Sequence, residues 1–130
     1  MGVSNFDLRQ LEEARAALPR TELSSVQLDY SLVHRNVETG ILPFCQREGI
    51  ALLAYYPLGH GRLASDSRLD VVASRRGKTR GQTALRWLAH KSGVFPIPRA
   101  SNREHVHENV GSGDWELTDE DVADLEAKFR

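Results

Sequence analysis

The sequence has little of what several classes of protein require. It contains a single cysteine, Cys45, so no intramolecular disulfide can form, and we expect a reducing compartment, the cytoplasm. No apolar run approaches the roughly 18 residues that cross a membrane, and the mean hydropathy is −0.44. The first residues, MGVSNFDLRQ, have neither the basic start nor the apolar stretch of a signal peptide. We therefore expect neither disulfides nor a membrane association.

A surplus of charge of one sign is also missing. Seventeen Lys and Arg residues stand against 18 Asp and Glu residues, which gives a formal net charge of −1. The protein has no overall electrostatic attraction for nucleic acid, and we do not expect nucleic acid as a partner. Hydrophobic residues make up 40% and charged residues 27% of the 130, which is typical of an ordinary globular domain.

Strand-like and helix-like apolar patterns alternate along the chain. Strands are predicted at Ser25–Tyr30, Ile50–Tyr55 and Val94–Pro98, and helices at Leu8–Leu18, Val37–Arg47, Leu69–Arg75, Gln82–His90, Asn102–Val110 and Thr118–Phe129. This alternation is typical of βα units on a parallel sheet. No flexible linker and no repeat divides the chain, so residues 1–130 are predicted to form one domain, or one piece of a domain.

Local signals mark several helix ends. Asp7 with Gln10, and Thr118 with Asp121, stand at the positions of capping boxes. Pro43 lies inside a helical pattern, and because proline is tolerated only in a first turn, the regular helix is predicted to start late.

Ligands of parallel α/β folds bind at the carboxyl ends of the strands, so the strand-to-helix segments carry the candidate sites. Four such segments stand out: GVSNF at 2–6, the end of SVQLDY at 25–30, AYYPLGHG at 54–61, and IPRASNREHVHEN at 97–109. In the last, Ser101 and Asn102 open a helix beside Arg99 and Arg103. Free backbone N–H groups and positive charge then converge, as they do at a phosphate site.

Each of these residues also has an ordinary structural interpretation. Ser4 and Asn5 can be turn and cap residues, and Gln27 can be a solvated amide on a strand. Tyr55 can be a residue at the edge of the core with a wet hydroxyl, and Ser101 can belong to a solvated helix start. Taken one segment at a time, both interpretations stay open.

Two motifs that suggest other chemistry fail on their spacing. GKT at 77–79 resembles the end of a P-loop, but Val72 stands where the first glycine is required. His105 and His107 are two residues apart on a predicted helix, so they point to different faces and cannot chelate one metal ion. We expect no metal site and no Ser/His/Asp catalytic arrangement.

Two further features are interpreted as structural. Cys45 lies on an apolar helix face without a CxxC partner, which favours an inert core thiol. The basic cluster of Arg75, Arg76, Lys78 and Arg80 is interpreted as a solvated helix end whose charges suit the helix dipole.

Taken together and in order, the segments resemble the C-terminal half of the aldo-keto reductases, (β/α)8-barrel oxidoreductases that use NADPH. GVSNF resembles the loop after that family's fifth strand, and VQLDYSL resembles the sixth strand. GILPFCQREGIALLAYYPLGHGRL resembles the next helix with the seventh strand and its loop, and GKTRGQTALRWL resembles the helix after that. FPIPRASNREHVHENVG resembles the eighth strand and the cofactor helix, and DWELTDEDVADLE resembles the closing segment. The resemblance covers essentially all of the chain. It implies an α/β fold that is the C-terminal portion of a (β/α)8 TIM barrel: about three parallel strands with alternating helices, an incomplete barrel.

The resemblance implies a nicotinamide dinucleotide as ligand and assigns its contacts. Ser4, Asn5 and Gln27 would hold the nicotinamide carboxamide, and Tyr55 would stack on the ring. The other implied contacts are Pro57, Leu58, Gly59 and Gly61 for the pyrophosphate, Arg99, Ser101 and His105 around the 2′-phosphate, and Glu108 and Asn109 for the adenine. The glycines of this set permit close approach of the backbone because they lack a Cβ.

Some residues depart from the family pattern. Tyr56 replaces the commoner serine, Ala100 replaces another serine, and His105 stands where many members have an arginine. The last two changes remove polar contacts to the 2′-phosphate. Arg99 favours NADP as the cofactor, and NAD is the alternative.

The resemblance also implies what lies elsewhere. The family's catalytic tetrad of Asp, Tyr, Lys and His comes from the first half of the barrel. By the resemblance, none of Tyr30, Tyr55 and Tyr56 corresponds to the catalytic tyrosine. We therefore expect the cofactor-binding half of an enzyme that reduces aldehydes or ketones, truncated and inactive alone; the alternative is a non-enzymatic protein that binds a nucleotide or a partner. Three strands leave two free edges and an apolar face, so the N-terminal half or a second copy is the expected partner.

Overall fold

Four strands form a single parallel sheet in the computed structural model, which describes residues 1–130, and they lie side by side in the order of the sequence. The strands are β1 (Gly2–Ser4), β2 (Ser25–Asp29), β3 (Ala51–Tyr55) and β4 (Val94–Pro96). The helices are α1 (Leu8–Ala16), α2 (Ile41–Glu48), α3 (Asp70–Arg76), α4 (Arg80–His90), α5 (Arg103–Val110) and α6 (Asp119–Lys128). The predicted alternation of strands and helices on a parallel sheet is confirmed. No helix combines the length and the apolarity needed to cross a membrane.

The first strand corrects the predicted number of strands from about three to four. Val3 of β1 lies beside Val26 of β2, and Ser4 lies beside Gln27. The segment GVS was predicted to belong to a loop because three residues are too few to show an alternating apolar pattern. Its conformation depends on pairing with a strand more than 20 residues away in the sequence, which the local sequence does not reveal.

The predicted helix ends are confirmed where side chains cap them. Asp7 accepts a hydrogen bond from the backbone N–H of Gln10 at 2.8 Å, and the Gln10 side chain accepts one from the backbone N–H of Asp7 at 2.9 Å. Thr118 and Asp121 form the same capping box at α6. Pro43 lies in the first turn of α2, after a 3₁₀ turn at Asn36–Thr39, so the late start of this helix is also confirmed.

The two faces of the sheet differ in what covers them. Val26, Leu52 and Val94 lie side by side on the face that packs on the core, and all three are buried. The residues that follow them, Gln27, Leu53 and Phe95, project from the opposite face because side chains alternate along a strand. Phe95 is 54% exposed there. The sheet therefore has two free edges and one open face, which is mixed rather than wholly apolar.

A hydrophobic cluster of 23 buried residues fills the space between the sheet and the helices, and Trp87 and Tyr30 are the largest of its fully buried side chains. Cys45 belongs to this cluster, and burial raises the pKa of its thiol to about 11. A thiolate, the reactive form, is therefore disfavoured. The interpretation of Cys45 as a core thiol is confirmed.

The basic cluster at the end of α3 is only in part the predicted solvated helix end: Arg75 and Arg76 do lie in the last turn of α3, but the cluster is engaged in ion pairs instead of being left to solvent. Arg75 donates to Asp121 Oδ1 at 2.7 Å and Arg76 donates to Asp121 Oδ2 at 2.6 Å. Arg80 forms an ion pair with Asp70, and Lys78 lies 3.7 Å from Asp114. The prediction of solvation failed because Asp121 lies on α6, about 45 residues further along the chain, and only the packing of α3 against α6 brings these charges together.

Candidate functional site

A groove of about 790 Å³ opens at the carboxyl ends of β3 and β4. Its lining residues are Asn5, Tyr55, Tyr56, Pro57, Leu58, His60, Gly61, Ile97, Pro98 and Arg99. Six of the thirteen predicted cofactor contacts are therefore brought together around one space: Asn5, Tyr55, Pro57, Leu58, Gly61 and Arg99. These residues come from three separate strand-to-helix segments, as expected for a ligand site at one end of a parallel sheet.

Asn5 and Tyr55 form one end of the groove. The Tyr55 hydroxyl donates a hydrogen bond to Asn5 Oδ1 at 2.8 Å, across 50 residues of sequence. The backbone of Asn5 is left-handed, with φ of 58°, and its N–H donates to the carbonyl of Gln27 at 3.0 Å. Asparagine tolerates this conformation better than most residues. The amide of Asn5 is thus held in one orientation by its own backbone and by Tyr55.

Ser4 and Gln27 lie directly behind Asn5 on the open face of the sheet. Ser4 Oγ donates to the Gln27 carbonyl at 3.2 Å, and the two residues are partners in the pairing of β1 with β2. The side-chain amide of Gln27 has no hydrogen-bond partner within the chain, so its donors and its acceptor are available to a ligand. Ser4, Asn5, Gln27 and Tyr55 therefore surround one region, although Ser4 and Gln27 do not line the groove itself.

The loop after β3 forms one wall of the groove. Gly59 has φ of 56° and Gly61 has φ of 86°. A Cβ on Gly59 would meet Cγ2 of Val33 at 2.5 Å, so this position requires glycine for its space as well as for its conformation. Gly59 is buried under the loop and does not line the groove, whereas Gly61 does.

Two aromatic side chains of this loop were not among the predicted contacts. Tyr56 and His60 line the groove, and their rings lie 3.8 Å apart between centroids with a tilt of 32°. Both residues have a left-handed backbone, with φ of 48° and 58°. Such strained positions are concentrated at functional sites. The sequence signal that could have found them is the run of turn residues around Pro57, which places both side chains at the end of a buried strand.

The wall of the groove after β4, at the edge of the sheet opposite β1 and Asn5, carries positive charge. Arg99 lines it and forms no ion pair and no hydrogen bond within the chain. Ile97 and Pro98 complete this wall, and neither was among the predicted contacts. A guanidinium without a partner at this position can bind a phosphate through two parallel hydrogen bonds.

The remaining predicted contacts lie on α5 or just before it, outside the lining of the groove. These residues are Ser101, His105, Glu108 and Asn109. Asn102 caps α5 by accepting a hydrogen bond from the N–H of His105 at 2.9 Å. Glu108 accepts a hydrogen bond from the Thr79 hydroxyl at 2.8 Å, so one carboxylate oxygen already has a partner at the start of α4. No residue of α5 is buried, which leaves this helix accessible to a ligand that extends beyond Arg99.

A second hollow, of about 330 Å³, adjoins the Asn5 end of the groove and shares Asn5 and Tyr55 with it. Asp7, Asp29 and His34 are the titratable side chains that line it besides Tyr55. Nowhere in the structure do three or more His, Cys, Asp or Glu side chains gather closely enough to hold a metal ion. The hollow therefore contributes carboxylates to this end of the groove without forming a metal centre.

Tyr30 takes no part in the groove. It is fully buried, and its hydroxyl donates to Glu38 Oε1 at 2.6 Å. Burial, followed by the hydrogen bond to Glu38 and the negative charge of that carboxylate, raises the pKa of Tyr30 well above its usual value. Tyr30 is therefore a core residue that anchors the end of β2.

The donors and surfaces of the groove fit a dinucleotide. The Tyr55 ring and the Asn5 amide line one side, with the Gln27 amide close behind them, the loop that carries Gly61 forms a wall, and the unpaired guanidinium of Arg99 lines the segment after β4. An aromatic face can stack on a planar ring, glycines allow the backbone to approach phosphates, and a guanidinium suits a phosphate.

The amino-acid sequence matches one family of known proteins over its whole length. The model of the aldo/keto reductase family matches residues 1–130. An uncharacterised oxidoreductase of Schizosaccharomyces pombe is 34% identical over 128 residues, which covers 97% of this chain and 40% of that protein. Aldose reductase B of Dictyostelium discoideum is 33% identical over 125 residues, which covers 94% of this chain and 39% of that protein.

Solved structures show the same relationship. A thermostable aldo-keto reductase in complex with the inhibitor epalrestat is 36% identical, with a TM-score of 0.90 over 98% of this chain and 47% of that one. An aldo/keto reductase from Klebsiella pneumoniae in complex with NADP and acetate is 34% identical, with a TM-score of 0.86 and the same coverage of 98% and 47%. The chain thus spans less than half the length of these proteins. Its four strands and their helices form part of a (β/α)8 barrel, as predicted.

Proposed function

The chain belongs to the aldo/keto reductase family, and we propose that it is the NADP(H)-binding half of an oxidoreductase that reduces aldehydes or ketones. The observation that carries the proposal is the hydrogen bond from Tyr55 to Asn5 in a groove that Arg99 also lines. The relative from Klebsiella pneumoniae, which has NADP bound, supports the choice of cofactor.

At the nicotinamide end, the chain's own residues bind and orient the ring. The face of Tyr55 would stack on the ring, while Asn5 and Gln27 would hydrogen-bond to its carboxamide. Ser4 supports Gln27 through its hydrogen bond to the Gln27 carbonyl. The cofactor, when bound, supplies the hydride. Holding the ring in one orientation fixes which face points toward a carbonyl substrate, and such positioning contributes much of an enzyme's rate.

At the phosphate end, the groove neutralises charge. The backbone around Pro57, Leu58 and Gly61, on the turn that Gly59 makes possible, would face the pyrophosphate, and Arg99 would face the 2′-phosphate. The contacts along α5 extend the site toward the adenine: Ser101, His105, Glu108 and Asn109. Because Arg99 is the one unpaired cation that lines the groove, we propose NADP as the preferred cofactor and NAD as the weaker alternative.

The proton donor for the carbonyl oxygen is proposed to come from outside this chain. Family resemblance assigns the catalytic Asp, Tyr, Lys and His to the first half of the barrel, and the buried Tyr30 cannot reach the groove. We therefore propose that the 130 residues by themselves bind the cofactor and do not turn it over.

The open sheet face and the two free edges are proposed to be covered by the first half of the barrel. β1 and β4 each present an unpaired edge, and Leu53 and Phe95 project from the uncovered face. A closed barrel removes both edges and buries this face. Self-association of two copies is the alternative cover, and light scattering of the purified chain distinguishes them because only self-association doubles its mass.

Titration with NADPH, monitored by its fluorescence, tests the proposal. We expect saturable binding, weakened about tenfold or more by Arg99→Ala because a charge-assisted hydrogen bond to phosphate is lost. NADH, which lacks the 2′-phosphate, should lose much less. Arg9→Ala is the matched control, since Arg9 is an exposed arginine of α1 that pairs only with Glu13.

Turnover is measured on the same sample with NADPH and a reactive aldehyde. We expect no oxidation of NADPH above background. Absence of any binding at millimolar NADPH would contradict the proposed cofactor site, whereas steady turnover would contradict only the assignment of catalysis to residues outside this chain. Binding without turnover in the complete protein would favour the non-enzymatic alternative.

A further inference from the structure

The nicotinamide end of the groove carries negative charge, and we propose that Asp29 makes this site distinguish the two redox states of the cofactor, favouring NADP⁺ over NADPH. This inference rests on the proposed function, because it concerns the same groove. It adds a specificity-determining residue that was not among the predicted contacts.

The register of the sheet places Asp29 beside the proposed stacking surface. Asp29 is the last residue of β2 and pairs in register with Tyr55, the last residue of β3. Partners in register project from the same face of a sheet, so both side chains lie on the open face. Asp29 and Tyr55 also line the hollow that adjoins the groove, together with Asn5.

The charge of Asp29 is not compensated within the chain. Its carboxylate accepts no hydrogen bond from another residue and forms none of the chain's ion pairs. The other charged or titratable side chains at the hollow, apart from Tyr55, are Asp7 and His34. Asp7 is already engaged as the cap of α1, where it accepts a hydrogen bond from the N–H of Gln10. The cation that lines the groove, Arg99, follows β4, at the edge of the sheet opposite β1.

This separation of charge matches the oxidised cofactor. The nicotinamide ring carries one positive charge in NADP⁺ and none in NADPH, while the phosphates are the same in both. A carboxylate beside the ring therefore attracts only the oxidised form. Coulomb's law, for unit charges one to two strand spacings apart in a partly solvated groove, gives an effect of roughly three- to tenfold on the ratio of the two dissociation constants.

Calorimetric titration of the chain with NADP⁺ and with NADPH tests the role of Asp29. The measured quantity is the ratio of the Kd for NADPH to the Kd for NADP⁺. We expect Asp29→Asn, which removes the charge and keeps the shape, to lower this ratio roughly three- to tenfold. Asp29→Glu keeps the charge and should retain most of the ratio. Glu13→Gln removes the same charge from an exposed position on α1 and should leave the ratio unchanged.

The ratio separates an electrostatic role from a structural one. Damage to the fold weakens both redox forms together, because they have the same size and the same phosphates, whereas loss of the charge weakens only NADP⁺. A ratio that is unchanged in Asp29→Asn, with both forms still bound, overturns the role of Asp29 and leaves the proposed cofactor site intact. Absence of binding of either form to the unmodified chain overturns both proposals.

Discussion

Tyr55→Phe removes one hydroxyl from the groove and leaves the aromatic ring in place. The lost interaction is the 2.8 Å hydrogen bond to Asn5 Oδ1. A hydrogen bond of this kind contributes about 0.5–1.5 kcal/mol net. Tyr55 is half-buried and Asn5 is exposed, so water replaces part of the loss and the lower half of that range applies. We expect the Kd for NADPH to rise about two- to fivefold, as 1.4 kcal/mol corresponds to tenfold.

A series of variants separates the hydroxyl, the ring and the amide. Tyr55→Ala removes the ring as well and should weaken NADPH binding more than Tyr55→Phe does, because the stacking surface is lost. Asn5→Gly keeps the left-handed backbone and removes the amide. Arg9→Ala, on α1 outside the groove, is again the control. Fluorescence titration measures each Kd, and far-UV circular dichroism verifies that each variant is folded.

The double variant decides whether Tyr55 acts through Asn5. If the hydroxyl serves to orient the amide, Tyr55→Phe has no further effect once Asn5→Gly has removed that amide, so the two effects do not add. Additive effects would refute this reasoning and would mean that the hydroxyl contacts the cofactor independently. An unchanged Kd in Tyr55→Phe would refute it directly.

Other predictions concern stability and the groove wall. Asp121→Asn should lower the free energy of unfolding in urea by about 2–3 kcal/mol, because a buried carboxylate loses its charge opposite two guanidinium groups. Asp124→Asn, at a more exposed ion pair, is the control and should lower it by under about 1 kcal/mol. Although burial raises the pKa of Asp121, the Thr118 backbone N–H and the two arginines outweigh burial and hold that pKa below its usual range. The stabilisation is therefore present at neutral pH and is lost as the pH falls through the folded-state pKa, so acid should destabilise Asp121→Asn less than the unmodified chain. Gly59→Ala should weaken NADPH binding and lower the free energy of unfolding by about 1–3 kcal/mol, since φ is positive and a Cβ has no space. Gly49→Ala, with positive φ but free space, should lower the free energy of unfolding by only about 1–2 kcal/mol and leave NADPH binding unchanged.

Much of the fold and part of the site could be predicted from local sequence. The capping boxes at Asp7 and Thr118 depend on residues three positions apart, and the structure has both. The apolar run before Tyr55 is a strand, although its continuous apolar pattern predicts burial on both faces and only one is buried, and the turn residues after it form a wall of the groove. These features are local because the interacting atoms belong to neighbouring residues, so the order of residue types is sufficient to predict them.

Other parts of the site lie beyond the reach of local patterns. The turn residues around Pro57 mark the segment of Tyr56 and His60, but not the left-handed backbone with which both residues line the groove. Asp29 lies beside Tyr55 only through the register of β2 with β3. The family resemblance supplied Ser4, Asn5 and Gln27 as a set, and the pairing of β1 with β2 supplies the physical reason that they lie together.

The sequence by itself determined the alternation of strands and helices, the ends of the capped helices, and the segments that carry the site, because each follows from propensities and contacts within a few residues. Tertiary structure alone decided that Gly2–Ser4 is a strand, that Asp121 binds two arginines, and that Asn5 meets Tyr55. Those contacts join residues 23 to 50 positions apart. Their formation depends on the packing of whole elements against a shared sheet, and no short stretch of sequence contains both partners.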